Sequence, residues 1–128
     1  MHDISDDRFA SLISRAIDEM PPQYVEHLDN IVITYADEPD EHQAAKLRLR
    51  GDSLLLGLYE GIPLIQRGAG YNLVLPDKIT LFKHPLMAIS HNDEQRFYRE
   101  IKHTLWHEIA HFYGLDHDKI HEIERNWR

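Results

Sequence analysis

Apolar residues recur at helical spacing near the start of the chain. Phe9, Leu12, Ile13, Ala16, Ile17 and Met20 follow an i, i+3, i+4, i+7 pattern and predict an amphipathic helix. Ser5 or Asp6 can cap it, and Pro21-Pro22 stops it. "QYVEHL" suits one or two further turns. "NIVITYA" changes the period: its β-branched Ile31, Val32, Ile33 and Thr34 predict a strand. "DEPD" is turn chemistry. "EHQAAKLRLRG" carries two patterns: Ala44, Ala45 and Leu47 suit a short helix, while Leu47 to Arg50 alternates like a strand. "SLLLGLYEG" predicts a buried strand, "IPLIQRGAGYN" a long loop, and Ile79 to Phe82 a short strand.

From about Asp93 the helical period returns. Asn92 is the predicted cap, with Gln95 as its capping-box partner. At roughly 100° per residue, Phe97, Tyr98, Ile101, Leu105, Ile109 and Phe112 share one apolar face. His107 and His111 fall together on a neighbouring face. Gly114 is the natural residue to end this helix, since it takes positive φ without strain. Ile120, Ile123 and Trp127 predict a short closing helix.

Composition narrows the class. The 128 residues suit a single domain, with 42% hydrophobic and 28% charged residues, as in a soluble globular chain. The formal charge of −8 argues against a nucleic-acid footprint, which needs clustered Lys and Arg. There is no cysteine, so any metal must be held by nitrogen and oxygen. The acidic N-terminus has no apolar signal region and no run has transmembrane length, so the expected location is cytoplasmic, without membrane contact.

The chemistry concentrates in "WHEIAHFYGLDH". Helical neighbours at i and i+4 let His107 and His111 face one ion, and two imidazoles suit Zn²⁺. Glu108 is offset by about 100°, which places its carboxylate beside the position of a reacting water, as a general base. A turn at Gly114 can bring His117 back as third ligand. Asp116 is an alternative for that role, or else a cap for the last helix. Asp116 and Asp118 can also accept a hydrogen bond from a ligand ring. His103 and His121 read as solvated helix-face residues, with a spare metal ligand as the sharper alternative. Tyr59, Tyr71 and Tyr113 read as core or cleft-wall residues, with oxyanion stabilisation as the sharper alternative.

The string His107-Glu108-x-x-His111-x-x-Gly114-x-x-His117 resembles the metzincin zinc signature HExxHxxGxxH. "RAIDEMP", "LDNIVITYADEP", "LLGLYEGIPLIQRG", "LPDKITLFKHPL" and "TLWHEIAHFYGLD" extend the likeness along nearly the whole chain. Together they resemble a small bacterial family of minimal metzincin-like zinc metallopeptidases. The resemblance implies a compact α+β domain spanning 1–128, with a few-stranded sheet packed against an N-terminal helix and an active-site helix. It implies one Zn²⁺ per chain held by His107, His111 and His117, with Glu108 as base and a peptide or protein as substrate. An extended substrate would then lie across the active-site helix, with "LLGLYEGIP" supplying a sheet edge or the loop above the metal. Many relatives have an acidic residue at the third ligand position, so His117 brings this chain closer to the wider metzincins. Residues 118 to 128 contain no Met, so the methionine turn of the larger enzymes is missing. So is their C-terminal subdomain, which implies a shallow, open site. Two other readings are a non-catalytic zinc-stabilised binding domain and a metal-dependent endoribonuclease. The second is prompted by "GLDH", but relatives of that kind have glycine where this chain has Glu108.

Overall fold

The computed structural model describes residues 3–26, 28, 31–50, 55–61 and 77–126, except for the side chains of 46–50. Among them the order is α1 (Asp6–Asp18), α2 (Pro22–Val25), β1 (Ile31–Ala36), α3 (Glu41–Arg50), β2 (Gly57–Glu60), β3 (Asp77–Phe82), α4 (Lys83–Ile89), α5 (Glu94–Tyr113) and α6 (His117–Asn126). Helices packed on a small mixed sheet make this the α+β arrangement expected.

Ser5, not Asp6, caps α1: its Oγ accepts from Arg8 N at 3.1 Å. Asp6 and Asp7 instead sit in the first turn, where negative charge meets the positive end of the helix dipole. The predicted stripe is buried through Phe9, Leu12, Ile13 and Ala16. Pro22 opens α2, where its missing N–H costs no helical bond.

The two-patterned segment after Asp40 is a helix. Asp40 Oδ1 accepts from Gln43 N at 2.8 Å, and Gln43 Oε1 accepts from Asp40 N at 3.0 Å. That reciprocal pair satisfies two amides at the helix start and outweighs the short strand-like alternation further along. Buried Gln43 also donates from Nε2 to Glu60 Oε1 at 3.0 Å, tying α3 to β2.

The sheet order is β1-β3-β2. β1 runs parallel to β3 from Ile31 opposite Asp77 to Ala36 opposite Phe82. β2 runs antiparallel to β3, with Gly57 opposite Leu81 and Glu60 opposite Lys78. Alternation along β3 feeds two cores. Ile79 and Leu81 join the main one, with the buried faces of α1 and α5. Phe82 joins Leu55 and Leu58 in a smaller one.

Several boundaries differ from those expected. The strand expected from Ser53 to Gly61 is Gly57–Glu60, and residues 51–54 lie outside those described. The long loop expected around "IPLIQRGAGYN", including Tyr71, falls in 62–76 and also lies outside them, as does Trp127. β3 begins at Asp77, two residues before the expected start. α4 was not among the elements expected, and it contains Pro85. The proline sits in the first turn, where no N–H is needed. No helix among the described residues is long and apolar enough to cross a membrane.

Candidate functional site

α5 carries most of the candidate residues, and its ends are locally encoded. The cap is Asp93, which corrects the expectation of Asn92: Asp93 Oδ1 accepts from Gln95 N at 2.9 Å and Arg96 N at 3.4 Å. Asn92 instead takes a positive φ of 59° in the preceding turn, a conformation its short polar side chain tolerates. At the other end Gly114 has φ 72°. Gly114 N donates to His111 O at 3.0 Å and Leu115 N to Ala110 O at 3.1 Å. This pair of bonds reverses the chain within two residues. Asp116 then caps α6, its Oδ1 accepting from Lys119 N at 2.8 Å.

The reversal returns His117 toward α5. The ring centroids of His107 and His111 are 5.2 Å apart, and those of His107 and His117 6.0 Å apart. Rings sharing one tetrahedral zinc through nitrogens at ~2 Å would have centroids about 5 Å apart. The His111 and His117 rings thus each lie near His107, the first at about the required separation and the second somewhat beyond it. They are not a closed ligand set: among the described residues, no three His, Asp or Glu side chains are arranged to hold an ion. His117 is exposed at the start of α6, whereas His107 is half-buried. Burial pushes the His107 pKa down; the His111, His103 and His117 rings add to this, and Glu108 opposes it. A neutral ring keeps a nitrogen lone pair available to a metal.

Glu108 is buried at 5% exposure. Its Oε1 accepts from Tyr59 N at 2.9 Å and lies 3.3 Å from His111 Nδ1. The edge of β2 therefore holds this carboxylate from across the cleft. Tyr59 in turn donates its hydroxyl to buried Asp77 Oδ2 at 2.7 Å and packs edge-on against Phe112. That hydroxyl is engaged in the wall of the site, as the core reading expected. Tyr113 likewise donates to Tyr24 O at 2.7 Å.

Close approach of β2 to α5 depends on Gly57. A Cβ there would lie 2.6 Å from Thr104 Cγ2 and 3.3 Å from Thr80 O. Gly57→Ala should destabilise the protein by about 1–3 kcal/mol through overpacking. It should also lift Tyr59 N from Glu108, shifting the Tyr59 amide resonance. Urea unfolding and an amide NMR spectrum would check both, and a variant as stable as the parent would show that β2 can move outward freely.

Two other site features escaped the sequence reading. His103 is not merely solvated: its Nδ1 contacts a carboxylate oxygen of buried Glu124 on α6, and its ring lies 5.8 Å from that of His107. The pairing spans 21 positions. Its one sequence signal was a Glu on the apolar side of α6, level with Ile120 and Ile123. The Tyr59–Glu108 bond spans 49 positions and uses a backbone amide, so no residue type announced it. Asp118 and His121 are exposed.

Residues 28–127 match the family model described as zincin-like metallopeptidase. No curated protein matches the chain.

Proposed function

The chain belongs to the zincin-like metallopeptidase family, and on that premise we propose that it is a zinc-dependent peptidase with His107, His111 and His117 as ligands and Glu108 as general base. The observation that supports this reading is a histidine cluster, His111 and His117 each beside His107, next to the buried and oriented carboxylate of Glu108. An all-nitrogen donor set without thiolates suits zinc. Asp116 is the weaker candidate for third ligand, because its carboxylate caps α6.

When bound, the ion supplies Lewis acidity toward water and toward an amide carbonyl. The protein's own residues do the rest. Tyr59 N holds Glu108 Oε1, leaving Oε2 to take a proton from the attacking water and return it to the leaving nitrogen. His107, held toward its neutral form by burial, and His111 present ring nitrogens from one side of α5, and the turn at Gly114 brings in His117. An extended peptide would then cross the histidines beside β2, the outer strand of the described sheet, without pairing through Tyr59 N, which Glu108 occupies.

The test is elemental analysis of untagged, chelator-free protein, followed by digestion of a peptide library. The expected result is about one zinc per chain, consistent with a single three-ligand site. His107→Ala and His111→Ala should lose the metal and the cleavage. His117→Ala should bind zinc more weakly, while Asp116→Ala should retain it. No zinc after dialysis against micromolar zinc would overturn the reading, and metal retention by His117→Ala with loss in Asp116→Ala would reassign the third ligand.

A further inference from the structure

A cavity of about 520 Å³ opens between α1 and the first turns of α5. Tyr98 on its wall and His107 are nine residues apart on α5, about 180° around the helix, so the cavity faces away from the histidines. Its lining reverses the charge of the molecule. Arg8, Arg15 and Arg99 stand against two carboxylates, Glu94 beside Arg8 and Glu19 beside Arg15, in a chain of net charge −8. A concave positive surface in an acidic protein focuses its field on an incoming anion.

The guanidinium groups are held in different ways. Arg8 donates from Nε and Nη2 to Glu94 Oε1 at 2.9 and 2.5 Å. Arg15 lies 4.1 Å over the Tyr98 ring, with Nε 3.4 Å from Glu19 Oε1. Arg99 is exposed and has no carboxylate partner among the described residues. Arg8 and Arg15 repeat at i, i+7 on α1, and Gln95 and Arg99 at i, i+4 on α5, so donors rise from both helices. Between them lie Leu12, 2% exposed, and the face of Tyr98. Planar guanidinium forks match carboxylate and phosphate oxygens, and the apolar floor offers contact to a hydrocarbon body.

We propose that this groove binds a small organic anion, with a phosphate or carboxylate head set against Arg99 and Arg15 and an apolar body against the ring of Tyr98. The volume falls within the ~300–1,000 Å³ usual for small-molecule sites. The site is separate from the histidines and stands whether or not the chain cleaves peptides.

The test is an amide NMR titration of the full chain with phenyl phosphate, benzoate, inorganic phosphate and benzyl alcohol. Phenyl phosphate or benzoate should give saturable shifts at Arg15, Gln95 and Arg99, and the tighter of the two identifies the head group. Arg99→Gln should weaken binding about tenfold, the loss expected for one charge-assisted hydrogen bond. Arg99 is exposed, so an unchanged spectrum elsewhere would show an intact fold. His107→Ala should leave the titration unaltered. No saturation by about 10 mM of either aromatic anion would overturn the proposal. So would equal binding of benzyl alcohol, or unchanged affinity in Arg99→Gln. Inorganic phosphate binding as tightly as phenyl phosphate would remove the apolar part of the site.

Discussion

Glu108→Gln should lower peptide hydrolysis by roughly 10²–10⁴-fold, the usual contribution of a positioned general base, while leaving zinc content unchanged. Glutamine has nearly the same shape. Its carbonyl oxygen can accept from Tyr59 N in place of Oε1, so the 2.9 Å bond that orients the side chain survives. What disappears is a group able to take and return a proton. The three imidazoles are untouched, so metal binding should persist. Elemental analysis and turnover measured on the same sample separate the possibilities. Unchanged turnover would remove Glu108 from the chemistry and favour a zinc-stabilised binding domain. Loss of zinc would mean that the carboxylate's charge, 3.3 Å from His111 Nδ1, helps shape the ligand set. Glu108→Ala is a harsher change: it removes the carboxylate that accepts from the part-buried Tyr59 N–H, at a cost of about 1–3 kcal/mol.

Trp106→Ala should destabilise the protein by about 3–5 kcal/mol and weaken zinc binding, although Trp106 is not a ligand. The side chain is completely buried and meets the Tyr24 ring edge-on at 5.1 Å. Its Nε1 donates to Ile120 O at 3.2 Å, which fastens α6 to α5. His117 is the first residue of that helix, so the position of the third imidazole depends on the bond. Trp106→Phe separates packing from anchoring. It keeps much of the apolar area and loses the hydrogen bond, costing about 1 kcal/mol for the bond itself. Denaturant unfolding and zinc titration of both variants are the measurements. If Trp106→Phe bound zinc like the parent, α6 would be held without that bond, by Ile120, Ile123 and the His103–Glu124 contact.

Some of this architecture is legible in the order of residues because the interactions that create it are local. The apolar spacing from Phe97 to Phe112, the glycine at 114 and the i, i+4 pair His107/His111 act within one or two helical turns. Backbone hydrogen bonds then convert spacing directly into a shared face and a chain reversal. The stripe of α1 and the β-branched run of β1 are read on the same principle. Local reading also falters over small choices. Asn92 and Asp93 are both good caps, and the hydrogen bonds of the formed helix select Asp93. The segment after Asp40 balances two periods until Gln43 closes its bonds to Asp40 and Glu60.

Contacts between distant segments have no such signature. The Tyr59 amide reaches Glu108 because β2 lies against α5, and that approach needs a bare Cα at Gly57. Glu124 is a surface residue by type, yet α6 packs so that it is buried beside His103. Three arginines scattered through the sequence become one positive groove when α1 crosses α5. The residue order by itself thus determined α1, α5 and the closing helix, the turn at Gly114 and the choice of candidate ligands, but not α4 or the helical choice in α3. The tertiary structure alone decided which atom orients the carboxylate, what anchors the third histidine and where positive charge gathers, because side chains far apart in the chain meet only when their elements share a buried surface.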